Sequence, residues 1–593
     1  MSADRQNILY TIRSGCALAK PYFRSEERWL ALRLLAGALA CALVIVGTSV
    51  LFTYWQRGLF NALEQKDWPA FLSLLLSWDI SQEGVLTIGF TPLLVVYVLA
   101  SIYGLYLRQR LQLSWRTWMT TDIVGRYLTE RSYYLLELRE HETDNPDQRI
   151  SEDINLFTQG SLEMGVGLFQ TMASMISFVV LLWSLSSAVS FFGWTVPGSL
   201  VWIALLYAIA GTAITHFMGR RLVDLHFRQQ RFEADFRAAL MRLREHAEGV
   251  AFYRGEAREQ KELTGIFENV WFNFLQIVNL TKRVTLSVTG LAQANLVIPL
   301  IIAAPAYFAG KIPLGSVFQT ANALNKVVEN LSWFVENYTK LTSYSATIDR
   351  LERFCAAVDQ AQHTESHIEF STVPRSDALA CKNLTLLRPG GEVLFDQVSF
   401  DVQPREWVLL RGRSGTGKTS LLKGIAGLWP YGDGQIAVPE GTQMFIPQRP
   451  YLPNGRLDSL LKYPSFPHDI SREDVEAVFS RLCLSHLLAF QDRSVVWLSR
   501  LSGGEVQRLA IARLVLQRPA LAFLDEVTSQ LDPELEQEAY TLMKQRLRDT
   551  TVISVAHRTS LDRFHGRSIV LQDKRLVEWA VEKPRADFAN PES

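Results

Sequence analysis

The chain has 593 residues, too many for one ordinary soluble core, so at least two domains are expected. Its 60 Lys and Arg balance 60 Asp and Glu, which gives no support to a nucleic-acid partner. Hydrophobic residues make up 48% of a chain that is also 20% charged, so the apolar residues are expected to be concentrated in one part of it.

Residues 1–29 read as a cytoplasmic N-terminus. Arg24, Glu26, Glu27 and Arg28 precede the first apolar run with no small-residue cleavage site, so no removable signal peptide is expected. Pro21–Leu35 mixes aromatics, charge and Leu. It reads either as an amphipathic helix along the membrane interface or as a plain charged flank. Cys16, Cys41, Cys355, Cys381 and Cys483 lack CxxC or metal spacing and imply no oxidising compartment.

Residues 30–346 form the expected transmembrane domain. About 20 apolar residues cross the hydrocarbon core. Six stretches qualify: Leu30–Tyr54, Val85–Leu107, Met164–Leu185, Leu200–Phe217, Val284–Phe308 and Ser316–Tyr338. The sixth is interrupted by Asn322, Asn325, Lys326, Glu329, Asn330 and Glu336. Lys326 and Glu329 stand at helical i,i+3 spacing. Either they pair, or Asn322, Lys326, Glu329 and Glu336 line a wet cavity, since intramembrane charge is costly elsewhere.

Basic residues set the orientation. Arg108, Arg110, Arg116, Arg126 and Arg131 follow the second span, and Arg220, Arg221, Arg228 and Arg231 follow the fourth. Both termini and both long basic segments, 108–163 and 219–283, are therefore expected in the cytoplasm. Loops of that length without structure are unusual. The spans are expected to continue as helices into the cytoplasm, turning near Asn145–Asp153 and Glu245–Glu256, where the turns could press on a cytoplasmic domain.

Residues 347–376 read as a connection: a helix over Ile348–Gln362, then a linker over His363–Ser376. From there strand-like and helical runs alternate, the pattern of an α/β domain over 377–580. Residues 581–593 are left as a tail.

The strand-like Trp407–Leu410 leads through Gly412-Arg413-Ser414-Gly415-Thr416-Gly417-Lys418-Thr419-Ser420 into a helical run. That is the P-loop pattern in its required context. Backbone N–H groups and the helix N-terminus would cradle phosphate. Lys418 would neutralise the β- and γ-phosphates of ATP, and the Thr419 hydroxyl would bind Mg²⁺. Further on, the apolar run Ala520–Leu524 ends in Asp525 and Glu526, a buried strand with acids at its carboxyl end. Asp525 would hold Mg²⁺ and Glu526 would polarise the attacking water.

Between them lies Leu501-Ser502-Gly503-Gly504-Glu505. This resembles the signature of the ABC ATPase family, LSGGQ, with Glu505 in place of Gln. By the same resemblance Gln448 matches the Q-loop, which takes part in Mg²⁺ binding and catalysis. Asp532 matches the D-loop used in dimer communication, and His557 the switch histidine that meets the γ-phosphate. One departure is Arg388, which stands where the family often stacks an aromatic on adenine. It either stacks on the base or is simply solvated.

The membrane half is similar to two groups. Glu245-His246-Ala247-Glu248-Gly249-Val250-Ala251-Phe252-Tyr253-Arg254-Gly255 looks like a stretch shared by the peroxisomal subfamily D half-transporters and the bacterial transporters related to SbmA and BacA. Arg116-Thr117-Trp118 and Asn145–Ile150 also look like the bacterial group.

The resemblance implies a multidomain protein: an all-α, six-helix transmembrane domain of exporter type plus an α/β P-loop ABC ATPase domain. It implies an ATP-driven transporter whose signature, Ser502 to Glu505, acts in trans on the P-loop of a second copy. The expected partners are that copy, the lipid bilayer and a solute, with no nucleic acid. The expected location is a multi-pass place in the bacterial inner membrane. Peptides, cobalamin-like solutes, acyl-CoA or lipid-like cargo are implied, and an ATP-gated channel or regulator is the alternative.

Overall fold

The computed structural model describes residues 8–76, 89–138, 145–186, 198–363, 366–413, 415–464, 470–572 and 574–579. The chain divides into two compact units, Met1–Gln362 and His363–Ser593.

The first unit is helical. Helix α1 (Ile8–Ala19) precedes α2 (Arg28–Gln65), α3 (Trp68–Leu76) and α4 (Phe90–Leu128). The short α5 (Ser132–Leu138) and α6 (Pro146–Gln148) lead to α7 (Ile154–Ser186). Then come α8 (Ser199–Glu245), α9 (Ala247–Tyr253), α10 (Glu256–Phe308), α11 (Leu314–Glu336) and α12 (Tyr338–Gln362). Among the described residues, Arg28–Gln65, Phe90–Leu138 and Pro146–Ser186 are long and apolar enough to cross a bilayer. Shorter apolar segments, Ser199–Gly211 and Val297–Phe308, lie within α8 and α10. The described parts of all six expected spans fall on helices, with residues 85–88 of the second outside the described residues and a turn at 337 near the end of the sixth, but the last three are less apolar than the first three.

Helices α8 and α10 have 47 and 53 residues. At 1.5 Å per residue that is about 70 and 80 Å, far beyond a hydrocarbon core of about 30 Å. The second expected turn falls at residues 246–255. Arg242 and Arg244 close α8, while Glu256 and Glu259 open α10, each sign matching the helix dipole. Arg254 takes the left-handed conformation that ends α9. The first turnaround begins earlier than expected. Glu130 and Arg131, both at positive φ, break the helix after α4, and Asn145 starts the return with Pro146 at the first helical position. Residues 139–144 of that turn lie outside the described residues.

The N-terminal expectation is corrected. The segment Pro21–Leu35 is not one interfacial helix. Helix α1 lies upstream of it, Tyr22–Arg24 forms a single tight turn, and Arg28 already starts α2. The reason is aromatic packing. Tyr22 is fully buried and stacks on Trp115 of α4, with ring centroids 5.7 Å apart. Trp115 meets Phe157 of α7 edge-on, and Phe157 stacks on Tyr344 of α12. The column ends in a 2.6 Å hydrogen bond between the Tyr344 and Ser161 hydroxyls.

Beside this column Asp153 is buried among two arginines. Arg350 of α12 donates to both of its oxygens at 2.6 and 2.9 Å, and Arg149 donates at 2.7 Å. Burial pushes the Asp153 carboxyl up, but the hydrogen bonds and charges of Arg350 and Arg149 outweigh it and hold the pKa below its ordinary value.

The start of α11 is capped by the end of α2. Asn61 accepts from the Gly315 N–H and Glu64 from the Leu314 N–H, each at 2.9 Å. A Cβ on Gly315 would lie 2.0 Å from the Arg57 carbonyl oxygen. Gly315→Ala should therefore cost about 1–3 kcal/mol through overpacking, read as a lower melting temperature of the detergent-solubilised protein. An unchanged melting temperature would show that the two helix ends separate freely.

The second unit is α/β. One sheet has the order β1 (His367–Val373), β5 (Gly432–Pro439), β2 (Leu379–Leu387), β3 (Val393–Val402). The other runs β10 (Arg575–Trp579), β9 (Arg567–Gln572), β4 (Trp407–Gly412), β8 (Thr551–Val555), β7 (Leu521–Asp525), β6 (Gln443–Ile446). All its pairings are parallel except β10 on β9. Helices α13 (Lys418–Ile425), α14 (Leu457–Lys462), α15 (Arg472–Arg481), α16 (Gly503–Gln517) and α17 (Pro533–Arg546) complete it. Leu409, Leu524, Val552, Leu509, Phe479 and Tyr540 belong to one buried core that joins sheet and helices.

The linker expected over His363–Ser376 is corrected as well. Its residues 367–373 are strand β1, paired in parallel with β5 from His367↔Asp433 to Val373↔Pro439. Only Ile368 of that strand is buried. Ile368 and Phe370 alternate with polar residues, too short a run to tell an edge strand from a loop in sequence. The tail 581–593 lies outside the described residues.

Candidate functional site

Strands β4, β8, β7 and β6 lie side by side and parallel, so their carboxyl ends form one edge. Leu410, Val555 and Asp525 stand in one row across three of them. Open α/β sheets bind ligands at that edge. The loop after β4 is the P-loop, Gln448 follows β6, Asp525 ends β7, Glu526 follows it, and His557 comes just after β8.

The P-loop curls because Gly412, Gly415 and Gly417 all adopt positive φ. A Cβ on Gly417 would lie 3.0 Å from the Phe395 ring. Thr416 bonds the Arg413 carbonyl. Ser414 lies outside the described residues. Lys418 is buried and turned back into its own loop, donating to the Gly412 and Arg413 carbonyls at 2.9 Å each. Burial lowers its pKa, and the carboxylates of Glu526 and Asp525 oppose that. Thr419, beside Ser420 in the first turn of α13, donates its hydroxyl to Asp525 at 2.8 Å. Burial pushes the Asp525 carboxyl above its ordinary pKa. A buried carboxylate partnered by one hydroxyl is a set of hard oxygen donors, which fits Mg²⁺.

The structure brings three distant residues together. Glu526 accepts from Gln448 at 2.9 Å through one oxygen and from His557 at 3.1 Å through the other. Gln448 thus reaches the Glu526 carboxylate here, rather than the Thr419–Asp525 pair. Glu526 sits at φ 48, a conformation rare for a side-chain-bearing residue and characteristic of functional sites. Arg558 anchors the turn that presents His557, bonding the Leu531 carbonyl and the buried Glu536.

The signature opens helix α16. Ser502 is its N-cap, and Glu505 closes a reciprocal capping box. Gly503 and Gly504 form the first turn, with the Gln530 side chain close over Gly503. Asp532 caps the next helix, accepting from the Leu535 N–H at 2.8 Å.

Sequence reasoning missed Gln507. It is fully buried, donates to Ser529 at 3.0 Å and accepts from the Gln530 N–H at 3.0 Å. It therefore ties the signature helix to the segment after Glu526. Its position two residues past Glu505 carried no periodicity signal, because a buried amide looks like any surface Gln in sequence.

Arg388 sits in the hairpin between β2 and β3, half-exposed and paired with Glu392 at 2.8 Å. In the first unit, Asn322 of α11 donates to Gln56 of α2. Asn330 donates to Ser174 of α7 at 2.9 Å. Lys326 and Glu329 pair with each other at 2.7 Å on an exposed face, 44% and 68% accessible. The expected cavity set therefore divides: Asn322 faces a neighbouring helix, while Lys326 and Glu329 face outward. The Glu336 side chain lies outside the described residues.

Comparison with known proteins gives two family matches. Residues 18–308 match the model described as ABC transporter transmembrane region 2, and residues 395–529 match ABC transporter. The inner membrane ABC transporter ATP-binding protein YddA of Escherichia coli is 31% identical over 91% of this chain and 94% of its own length. The human lysosomal cobalamin transporter ABCD4 is 27% identical, over 83% of this chain and 85% of its own. In fold, the chain is similar to a solved bacterial Atm1-family ABC exporter with ATP bound. The TM-score is 0.66 at 17% identity, over 94% of this chain and 95% of that one.

Proposed function

The chain belongs to the ABC transporter family, and from that premise we propose that two copies assemble into a homodimer with two composite ATP sites. As a family member it is an integral membrane protein that couples ATP hydrolysis to transport. The meeting of Gln448, Glu526 and His557 beside the P-loop carries the reading of the site. Each chain bears one P-loop and one signature, so two chains furnish two complete sites if each signature serves the other's ATP.

ATP binding requires Lys418 to exchange the Gly412 and Arg413 carbonyls for phosphate oxygens. The loop N–H groups and the N-terminus of α13 then hold the phosphates. Glu526 orients a water in line with the γ-phosphate and takes up its proton. His557 and Gln448 hold the carboxylate at its two oxygens. Thr419 and Asp525 would hold Mg²⁺, which when bound supplies charge neutralisation at the phosphates.

For cargo we propose a hydrophilic solute, peptide-like or cobalamin-like, moved across a bacterial inner membrane. Two facts support this. An ion pair on a membrane helix is costly against lipid, so Lys326 and Glu329 suit a wet pathway or a partner surface. The human relative is a cobalamin transporter by name. In liposomes, ATPase stimulation is screened over peptides, cobalamin and acyl-CoA. With the stimulating solute, Lys326→Leu with Glu329→Leu should lower flux per ATP hydrolysed at least ~5-fold, equivalent to about 1 kcal/mol. An unchanged ratio would remove the pair from the cargo path.

A further inference from the structure

The signature departs from its family at one position, and the structure shows what that position touches. Glu505 replaces an amide with a carboxylate. One of its oxygens accepts from both the N–H and the hydroxyl of Ser502, at 2.9 and 2.8 Å. The other meets the Nε2 of His486 at 2.9 Å. The Ser502 contacts lead in drawing the Glu505 pKa below its ordinary value, with His486 adding to them.

His486 is held in place. It lies in the tight turn Ser485–Phe490 that follows α15. Its neighbours Leu484 and Leu487 are buried in the core. Arg508, one turn along α16 from the signature, donates to the carbonyls of Leu482 and Cys483 at 3.0 and 3.1 Å. The same helix therefore carries the signature and anchors the turn that presents the imidazole.

Electrostatics gives this arrangement a purpose. A helix N-terminus carries roughly half a positive charge and attracts anions. A carboxylate in its first turn over-neutralises that charge and turns an anion-attracting end into a repelling one. It also commits the Ser502 hydroxyl to Glu505. An imidazole donating to the far oxygen draws the carboxylate's charge away from the helix end.

We propose that His486 is a positioning residue of the signature: by binding the far oxygen of Glu505 it offsets the carboxylate and leaves the N–H groups of Gly503 and Gly504 receptive to the triphosphate of a second chain. This rests on the proposed trans-acting signature.

The test is ATPase kinetics of the full chain in nanodiscs. His486→Ala should raise the KM for ATP at least about threefold, with kcat changed less. His486→Arg, which places a cation there, should restore KM. In a Glu505→Gln background His486→Ala should change nothing further, because no carboxylate remains to offset. If His486→Ala fails to assemble, His486→Gln carries the same expectations. A wild-type KM in His486→Ala, or an equal rise in the Glu505→Gln background, overturns the proposal, the latter showing a merely structural role. Ser502→Ala separates the two readings: full ATPase activity there defeats the signature reading itself.

Discussion

Glu526→Gln should lower ATP hydrolysis at least ~100-fold while ATP still binds, because a positioned general base contributes about 10²–10⁴-fold. The substitution is isosteric and leaves the backbone bond from Glu526 N–H to Val555 undisturbed. What it removes is the charge. The glutamate now accepts from Gln448 through one oxygen and from His557 through the other. An amide keeps one acceptor, cannot take a proton from water, and must turn its NH₂ toward one of two donors. Binding should persist, since Lys418, Thr419 and the loop N–H groups are unaltered. Two measurements check this: phosphate release by the purified chain, and an ATP-dependent rise in melting temperature, which reports binding to the folded state. Hydrolysis above a tenth of wild type would take the catalytic role from Glu526.

Asp153→Ala should destabilise the first unit by about 3–5 kcal/mol, the cost of removing one partner from a buried ion pair. Arg149 and Arg350 would be left with no carboxylate between them, and the link from α12 to the turn before α7 would be lost. Asp153→Asn keeps the volume and should recover only part of the loss. The pH dependence has a definite sign. Because the folded-state pKa of Asp153 lies below its unfolded value, its stabilisation is fully present above about pH 4 and is lost as pH falls through the folded value. Wild type should thus lose this contribution only in acid, and the Asn variant should not show that acid-dependent step. Denaturation of the detergent-solubilised chain across pH checks both statements. Equal midpoints for wild type and Asp153→Ala would show the triad to be energetically neutral.

Much of the chain was legible because its signals are local. A P-loop needs three glycines at positive φ between a strand and a helix, and those residues are contiguous, Gly412 to Thr419. The apolar run ending in Asp525 and Glu526 announced a buried strand and its carboxyl end, and β7 is buried at every position. The length of the two charged segments announced helices longer than the membrane, and α8 and α10 meet, with dipole-matched ends, where the second turn was expected.

Other features have no local signal. Strand β1 buries only Ile368 and leaves Phe370 exposed, because its order comes from backbone bonds to β5. The run Pro21–Leu35 looks amphipathic, yet Tyr22 leaves the surface to stack on Trp115, 93 positions further along the chain by subtraction of their numbers. Lys326 and Glu329 pair on an exposed face while Asn322, four residues before Lys326, turns to Gln56, a division that depends on which neighbours α11 has.

Residue types and spacing alone therefore determined that this chain joins membrane helices to a phosphate-binding α/β domain, and singled out the side chains proposed to bear the chemistry. Backbone conformation and hydropathy are short-range properties, written in a few adjacent residues. Only tertiary structure decided that Gln448 and His557 share one carboxylate, that Gln507 ties the signature helix to the segment beyond it, and that His486 stands against Glu505. Those contacts join residues from different strands, helices and turns, and distance in space is set by how the sheet and core pack.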